Sequence, residues 1–197
     1  MISFFSTFRA VLITVVISTL LASNSYCQED GLLRFDGNDD YVALDMSYHG
    51  SNTIAEVTVE AWIKTSFSGG SWNGNWAIVD FDRSEYYNLF VNGDNGTVGF
   101  STNSGGMDDF YGVTVVNDDQ WHHIAAVYDG VDKHIYVDGV LDGSRTNPHN
   151  GNALGSNNTR FGIIGDGSEA SSYNGSKNNV FYDGDISELR IWHTTRS

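Results

Sequence analysis

The sequence predicts an all-β domain, either a two-sheet antiparallel sandwich or a closed barrel, and three observations carry that prediction. Short runs of alternating apolar and polar residues recur along the chain, Gly, Asn, Asp and Ser clusters separate them, and a single proline (Pro148) interrupts nothing. No stretch of ten or more residues keeps a helical apolar stripe, so a doubly wound α/β fold has no helices to build it.

The first 27 residues stand apart from the strand series. Arg9 precedes the thirteen-residue apolar run Ala10–Ala22, which is too short for a comfortable bilayer span and fits the apolar core of a signal peptide. Ser25 and Cys27 put small side chains at −3 and −1 of a cleavage before Gln28, so the expected mature domain is 28–197, about 170 residues. A lipid-anchored Cys27 is disfavoured because Tyr26 stands where a small residue is needed. Cys27 is the only cysteine, and its removal leaves no disulfide to hold the mature domain.

Leu32–Phe35 and Tyr41–Leu44 open the predicted strands. Val57–Lys64 alternates most clearly, with Val57, Val59, Ala61 and Ile63 on one face and Thr58, Glu60, Trp62 and Lys64 on the other. Trp76–Phe81, Tyr86–Val91, Thr97–Ser101, Tyr111–Val116, Trp121–Tyr128, His134–Val137, Phe161–Ile164 and Ile186–Trp192 follow. Asn92-Gly93, Asp129-Gly130 and Asp138-Gly139 are the strongest turn signals, since these residues tolerate the positive φ of tight hairpins. Ser66–Asn75, Asn147–Asn158 and Asp166–Asn179 read as long loops.

Five blocks in order then resemble the laminin G-like domains of the concanavalin A-like lectin/glucanase superfamily: Phe35-Asp-Gly-Asn-Asp-Asp-Tyr-Val42, Val57–Trp62, Trp121–Gly130, His134–Val140 and Gly184–Trp192. The resemblance implies an antiparallel jelly-roll sandwich of one concave and one convex sheet with long rim loops. It also implies glycan or extracellular protein binding, although the superfamily includes glycoside hydrolases and fold alone does not fix function.

The net charge of −15 becomes −16 once Arg9 leaves with the signal segment, and the remaining Lys and Arg form no basic cluster. Nucleic acid is therefore a poor partner, and no membrane insertion is expected after signal removal. The expected location is extracellular or at the cell surface.

Catalytic signatures are weak. A retaining glycosidase needs two carboxyl groups about 5–5.5 Å apart. The nearest match, Asp80-Phe-Asp-Arg-Ser-Glu85, reads as a polar hairpin tip, and Glu60 has Thr58, Trp62 and Lys64 at its same-face neighbours. No Gly-x-Ser-x-Gly, His-Glu-x-x-His or phosphate-cradling Gly-Lys-Ser/Thr occurs. His122 and His123 point to opposite faces of a strand and cannot chelate one ion together. The expected reading is a non-catalytic binding module, with a glycoside hydrolase or lyase, or a protein-binding structural domain, as the alternatives.

For calcium, Asp36-Gly-Asn-Asp-Asp40 fails as an EF-hand because Tyr41 and Ser47 stand at the Gly and Glu positions. By the resemblance, a structural Ca2+ at the rim implies Asp36, Asp39 and Asp40 with Asp183 or Asp185, although Ser187 stands where many relatives carry Asp. A glycan site requires aromatic faces with amide and carboxylate partners on loops. Trp72, Asn73, Asn75, Trp76, Tyr86, Tyr87, Asp109, Tyr111, Tyr173 and Asn174 supply that mixture. Trp62, Trp121 and Trp192 lie inside the family blocks and are expected to be structural.

Overall fold

The computed structural model describes residues 31–50, 53–69 and 75–196. The expected signal peptide, Trp72 and Asn73 lie outside the described residues. Twelve strands are present: β1 (Leu32–Asp36), β2 (Val42–Tyr48), β3 (Val57–Lys64), β4 (Asn75–Asp80), β5 (Tyr87–Asn92), β6 (Thr97–Asn103), β7 (Met107–Val115), β8 (His122–Tyr128), β9 (Lys133–Val137), β10 (Val140–Arg145), β11 (Arg160–Ile164) and β12 (Asp183–Trp192). They form two antiparallel six-stranded sheets, β1-β12-β3-β8-β9-β10 and β2-β11-β4-β5-β6-β7, within the unit Leu32–Ser197. The expected jelly-roll sandwich is the fold that forms.

Period-two patterning explains the core. Val57, Val59, Ala61 and Ile63 of β3 are fully buried between the sheets, and Ile124 and Ala126 of the paired β8 join them. Tyr48, Phe81, Tyr86 and Tyr87 form an aromatic cluster with Tyr48 ring centroids 4.8, 5.1 and 5.8 Å from the other three. Each such ring contributes about 1.5–3 kcal/mol through removal from water. Tyr48 and Tyr87 also hydrogen-bond each other at 3.1 Å, which satisfies hydroxyls that burial would otherwise orphan.

Turns obey the predicted chemistry unevenly. Asp138 and Gly139 both take positive φ, at 51° and 77°, and join β9 to β10 as a two-residue hairpin. That hairpin folds Val140–Arg145 back as a strand that its own non-alternating sequence does not announce. Asn92-Gly93 and Asp129-Gly130 instead open longer connections. Gly96 N closes the first by donating to Asn92 O, and Asp129 Oδ1 caps Val131 N and Asp132 N in the second.

Between Leu141 and Gly143 the β9–β10 register shifts, and Asp142 turns toward β7. Its carboxylate accepts hydrogen bonds from Val113 N at 2.8 Å and Thr114 N at 3.0 Å.

Candidate functional site

The predicted ligand residues do not converge. Tyr86 and Tyr87 are fully buried and Trp76 nearly so, which corrects their assignment to a ligand surface: they pack the core. Tyr86 is roofed by the connection before β11, where its hydroxyl donates to Asn158 O at 2.8 Å. Asn75 opens β4. Asp109 and Tyr111 lie on β7, the first accepting from Ser101 Oγ at 2.6 Å and the second set edge-on to Phe90. Tyr173 and Asn174 are exposed on the connection between β11 and β12.

The hairpin-tip reading fits Asp82 and Glu85, whereas Asp80 is buried at the end of β4 and stands outside the turn. Asp82 adopts φ 64° and its main-chain oxygen accepts from Glu85 N and Tyr86 N. Arg160 bridges Asp82 and Glu85, and Asn158 Nδ2 donates to Glu85 at 2.7 Å. These carboxylates serve the turn.

Near β1 three of the expected acids lie close together. Ligand oxygens of Asp36, Asp39 and Asp40 lie within 4.8 Å of one another, and Asp36 pairs with Asp183 across β1–β12. Asp183 packs against Gly37, beside this cluster. Asp185 is instead held by Arg34, with Nε 2.8 Å from its carboxylate. The hard oxygen donors suit Ca2+, which takes carboxylates and main-chain carbonyls. Part of that donor capacity is already used: Asp36 Oδ1 accepts from Asn38 N and Asp40 Oδ2 from Asp36 N.

A different surface combines exposed aromatic area with fixed polar groups, and it lies on the outer face of the first sheet. Alternation in β3 turns Thr58, Glu60 and Trp62 outward, and β8 adds His123, Ala125 and Val127 beside them. Trp62 is 38% exposed and Trp121, just before β8, is 42% exposed. Both depart from the expectation that they are structural. The two indoles, with Ser187 and Glu188 of β12, line a hollow of about 300 Å³. A second hollow of about 250 Å³ has Ala125 and Val127 among its lining, with Glu60, His123, Tyr136 and Arg196 around them. Trp62 of the first hollow and His123 of the second meet edge to face at 5.4 Å, so the two hollows are neighbours on this face and are together called the groove.

The polar groups of the groove are oriented by their neighbours. Glu60 accepts from Trp192 Nε1 at 3.1 Å and lies 3.6 Å from both Arg190 and His123. Arg190 also holds Glu188 at 2.6 Å, so each carboxylate is committed to one guanidinium. Such a shared cation suits fixed hydrogen-bond acceptors better than an acid/base pair. His122 faces away, between Asp118 and Asp138; burial pulls its pKa down, but these two carboxylates outweigh burial and raise it. The sequence did contain the signal for the groove, because Trp62 alternates with the core residues of β3 and shares a face with Glu60.

A further hollow, of about 780 Å³, lies between the end of β2 and the segment after β12. It is a poor ring-stacking site. Tyr48 is nearly buried and bonded to His193, and Glu56 is already taken by Thr195 N and Oγ1.

Two six-stranded antiparallel sheets make this a β-sandwich of the jelly-roll kind. The chain belongs to the concanavalin A-like lectin/glucanases superfamily, whose laminin G-type family model matches residues 36–197. No curated protein matches the sequence. Among solved structures, a native heptameric SAP-like pentraxin from Limulus polyphemus is similar at 16% identity and a TM-score of 0.61, over 87% of this chain and 80% of that one. The LG4-5 domains of mouse laminin α1 align at 15% identity and 0.53, over 82% of this chain and 40% of that one. The ligand-binding domain of botulinum neurotoxin serotype D, solved with N-acetylneuraminic acid, aligns at 12% identity and 0.59, over 85% and 40% respectively. At these identities the likeness shows the fold alone, and the chain spans less than half of the laminin and toxin chains.

Proposed function

We propose that the protein is a secreted, non-catalytic module that binds a neutral or amino-bearing glycan in the groove between Trp62, Trp121 and Tyr136. The observation that carries this reading is the pair of exposed indoles among fixed hydrogen-bonding groups. Flat aromatic faces take the C–H faces of sugar rings, and Glu60, Glu188, His123 and Ser187 offer partners to hydroxyls. The acidic surface disfavours anionic sugars. Membership of a superfamily named for lectins as well as glucanases, and a fold neighbour solved with a sugar, support glycan binding in general, although that neighbour's sugar is an acidic one. Export is supported by the amino-terminal sequence pattern.

A glycan array with the purified protein tests the proposal. Trp62→Ala and Trp121→Ala are each expected to weaken the best glycan at least tenfold, about 1.4 kcal/mol. Both side chains are partly exposed, so the fold should lose no more than about 1 kcal/mol in either variant. Binding confined to proteins, or glycan binding that both substitutions leave intact, would overturn the reading.

Calcium is proposed as a structural aid at Asp36, Asp39, Asp40 and Asp183. Millimolar Ca2+ should then raise the melting temperature of the wild-type protein and leave Asp39→Asn/Asp40→Asn unchanged. Equal shifts in both proteins would count against this site.

A further inference from the structure

One row of side chains crosses the outer face of the second sheet: Asp80 on β4, Asn88 on β5, Ser101 on β6 and Asp109 on β7, each paired with the next. The segment 166–180 covers the Asp80 end. Ser168 N donates to Asp80 Oδ2 at 3.1 Å, Ala77 N to Val180 O at 3.3 Å, and Val180 N to Asp166 Oδ1 at 2.7 Å. Beneath this cover Asp80 is 3% exposed and Asn88 6%.

Asn88 Nδ2 donates to Asp80 Oδ2 at 2.8 Å. Asp80 Oδ1 and Asn88 Oδ1 remain, both buried and both without a hydrogen-bond partner among the described residues. If Asp80 is ionised these two oxygens are only acceptors and cannot satisfy one another. Each orphaned acceptor loses its hydration without a bond in return. A proton on Asp80 Oδ1 would make that oxygen a donor, and the orphaned acceptor on its register partner is Asn88 Oδ1, whose own Nδ2 already donates to Asp80 Oδ2. We infer that Asp80 is a neutral carboxylic acid joined to Asn88 in a reciprocal acid–amide pair, and that this pair is a pH-sensitive latch holding segment 166–180 on the sheet.

The surroundings agree. Burial pushes Asp80 up to about 8 and the neighbouring Asp82 charge adds to the push, while hydrogen bonding from Ser168, Asn88 and the Asp82 main chain opposes it. Tyr87, on the same strand as Asn88, is itself raised by burial, and β11 pairs with β4 here through Ile163 and Ile164. Asp166 on the covering segment is also raised by burial. The cations nearby are engaged elsewhere, Arg160 with Asp82 and Glu85, and Lys177 with Asn174 and Gly175.

The closed state keeps its proton up to about pH 8, whereas a freed carboxyl returns to its ordinary 3.8. Between those values the closed state binds one proton more, so the latch is strongest in acid and weakens as pH rises. Opening should grow about tenfold per pH unit and level off above the higher value.

Hydrogen exchange of segment 166–180 in the full chain, corrected for intrinsic rates, tests this. The wild type should open roughly a hundredfold more readily at pH 9 than at pH 6. Asp80→Asn replaces the acid hydroxyl with an amide donor, so it should show no such dependence and melt at or above the wild-type temperature at pH 8. A flat wild-type profile, or an Asp80→Asn protein whose segment is less protected at pH 8, overturns the inference. So does protection at pH 8 by millimolar Ca2+ in the wild type alone, which would make Asp80 an ionised ligand. Should Asp80→Asn fail to fold, isotope-edited infrared spectra of the wild type decide. A protonated-carboxyl band at pH 6 that fades toward pH 9 upholds the latch, and a carboxylate band at pH 6 refutes it.

Discussion

Asp108→Ala is expected to cost the fold about 3–5 kcal/mol, the usual penalty for stranding a buried charge. Its partner, Lys133 of β9, is 0% exposed and points between the sheets. Lys133 Nζ donates to Asp108 O at 2.8 Å and to Asp108 Oδ1 at 3.0 Å, and it sits 5.3 Å and 5.8 Å from the Phe100 and Phe110 ring centroids. Desolvation already pulls Lys133 down to about 8, and Asp108 is the main force holding the proton. Arg145 secures the same carboxylate from outside at 2.9 Å, so its removal would also free that guanidinium. Adding Lys133→Met should restore most of the loss, because an apolar chain of similar length fits the space without a charge. Urea denaturation of the two single variants and the double variant gives the coupling directly. A cost below about 1 kcal/mol for Asp108→Ala would show that Lys133 does not depend on it.

Gly184→Ala is expected to cost a comparable amount, about 2–5 kcal/mol, through strain and overpacking together. Gly184 adopts φ +142°, where side chains are strained, and a Cβ there would lie 2.3 Å from Lys64 O and 3.0 Å from Thr65 Cβ. These atoms cannot retreat cheaply. Lys64 is the register partner of Asp185, and Thr65 Oγ1 donates to Asp183 O at 2.6 Å. The melting temperature should fall by roughly 5–15 °C. Because β12 carries Ser187 and Glu188 into the groove and pairs Asp183 with Asp36, glycan and calcium binding should weaken with it. An unchanged melting temperature would mean that the β3–β12 junction accommodates the methyl group.

The sandwich was legible wherever one face of a strand is dry and the other wet. β3 displays this fully, and its outward set already contained Glu60 and Trp62. Periodicity failed where tertiary context sets the strand: β10 exists because the Asp138-Gly139 turn returns it to β9, with Gly143 and an unpatterned Val140-Leu141. Tyr86 and Tyr87 misled for a related reason. Successive residues near a strand end should face opposite ways, yet both are buried because the connection before β11 covers Tyr86. Trp62 and Trp121 lie in blocks that resemble the family's, which implies core packing, whereas both indoles are partly exposed. Alternation in β3 sets Trp62 outward, but how far that face stays uncovered beside Ser187 and Glu188 is decided by the distant strand β12.

The register shift that turns Asp142 onto β7 has a consequence for the protein in company with its own copies. β7 is the last strand of its sheet, and an outermost strand offers free N–H groups to any extended segment that arrives. Asp142 occupies two of those donors, at Val113 and Thr114, with a charged group. An incoming strand meets a filled, negatively charged margin where it would need open donors. A charged side chain held on an outermost strand in this way is a general device against edge-to-edge pairing of sheets.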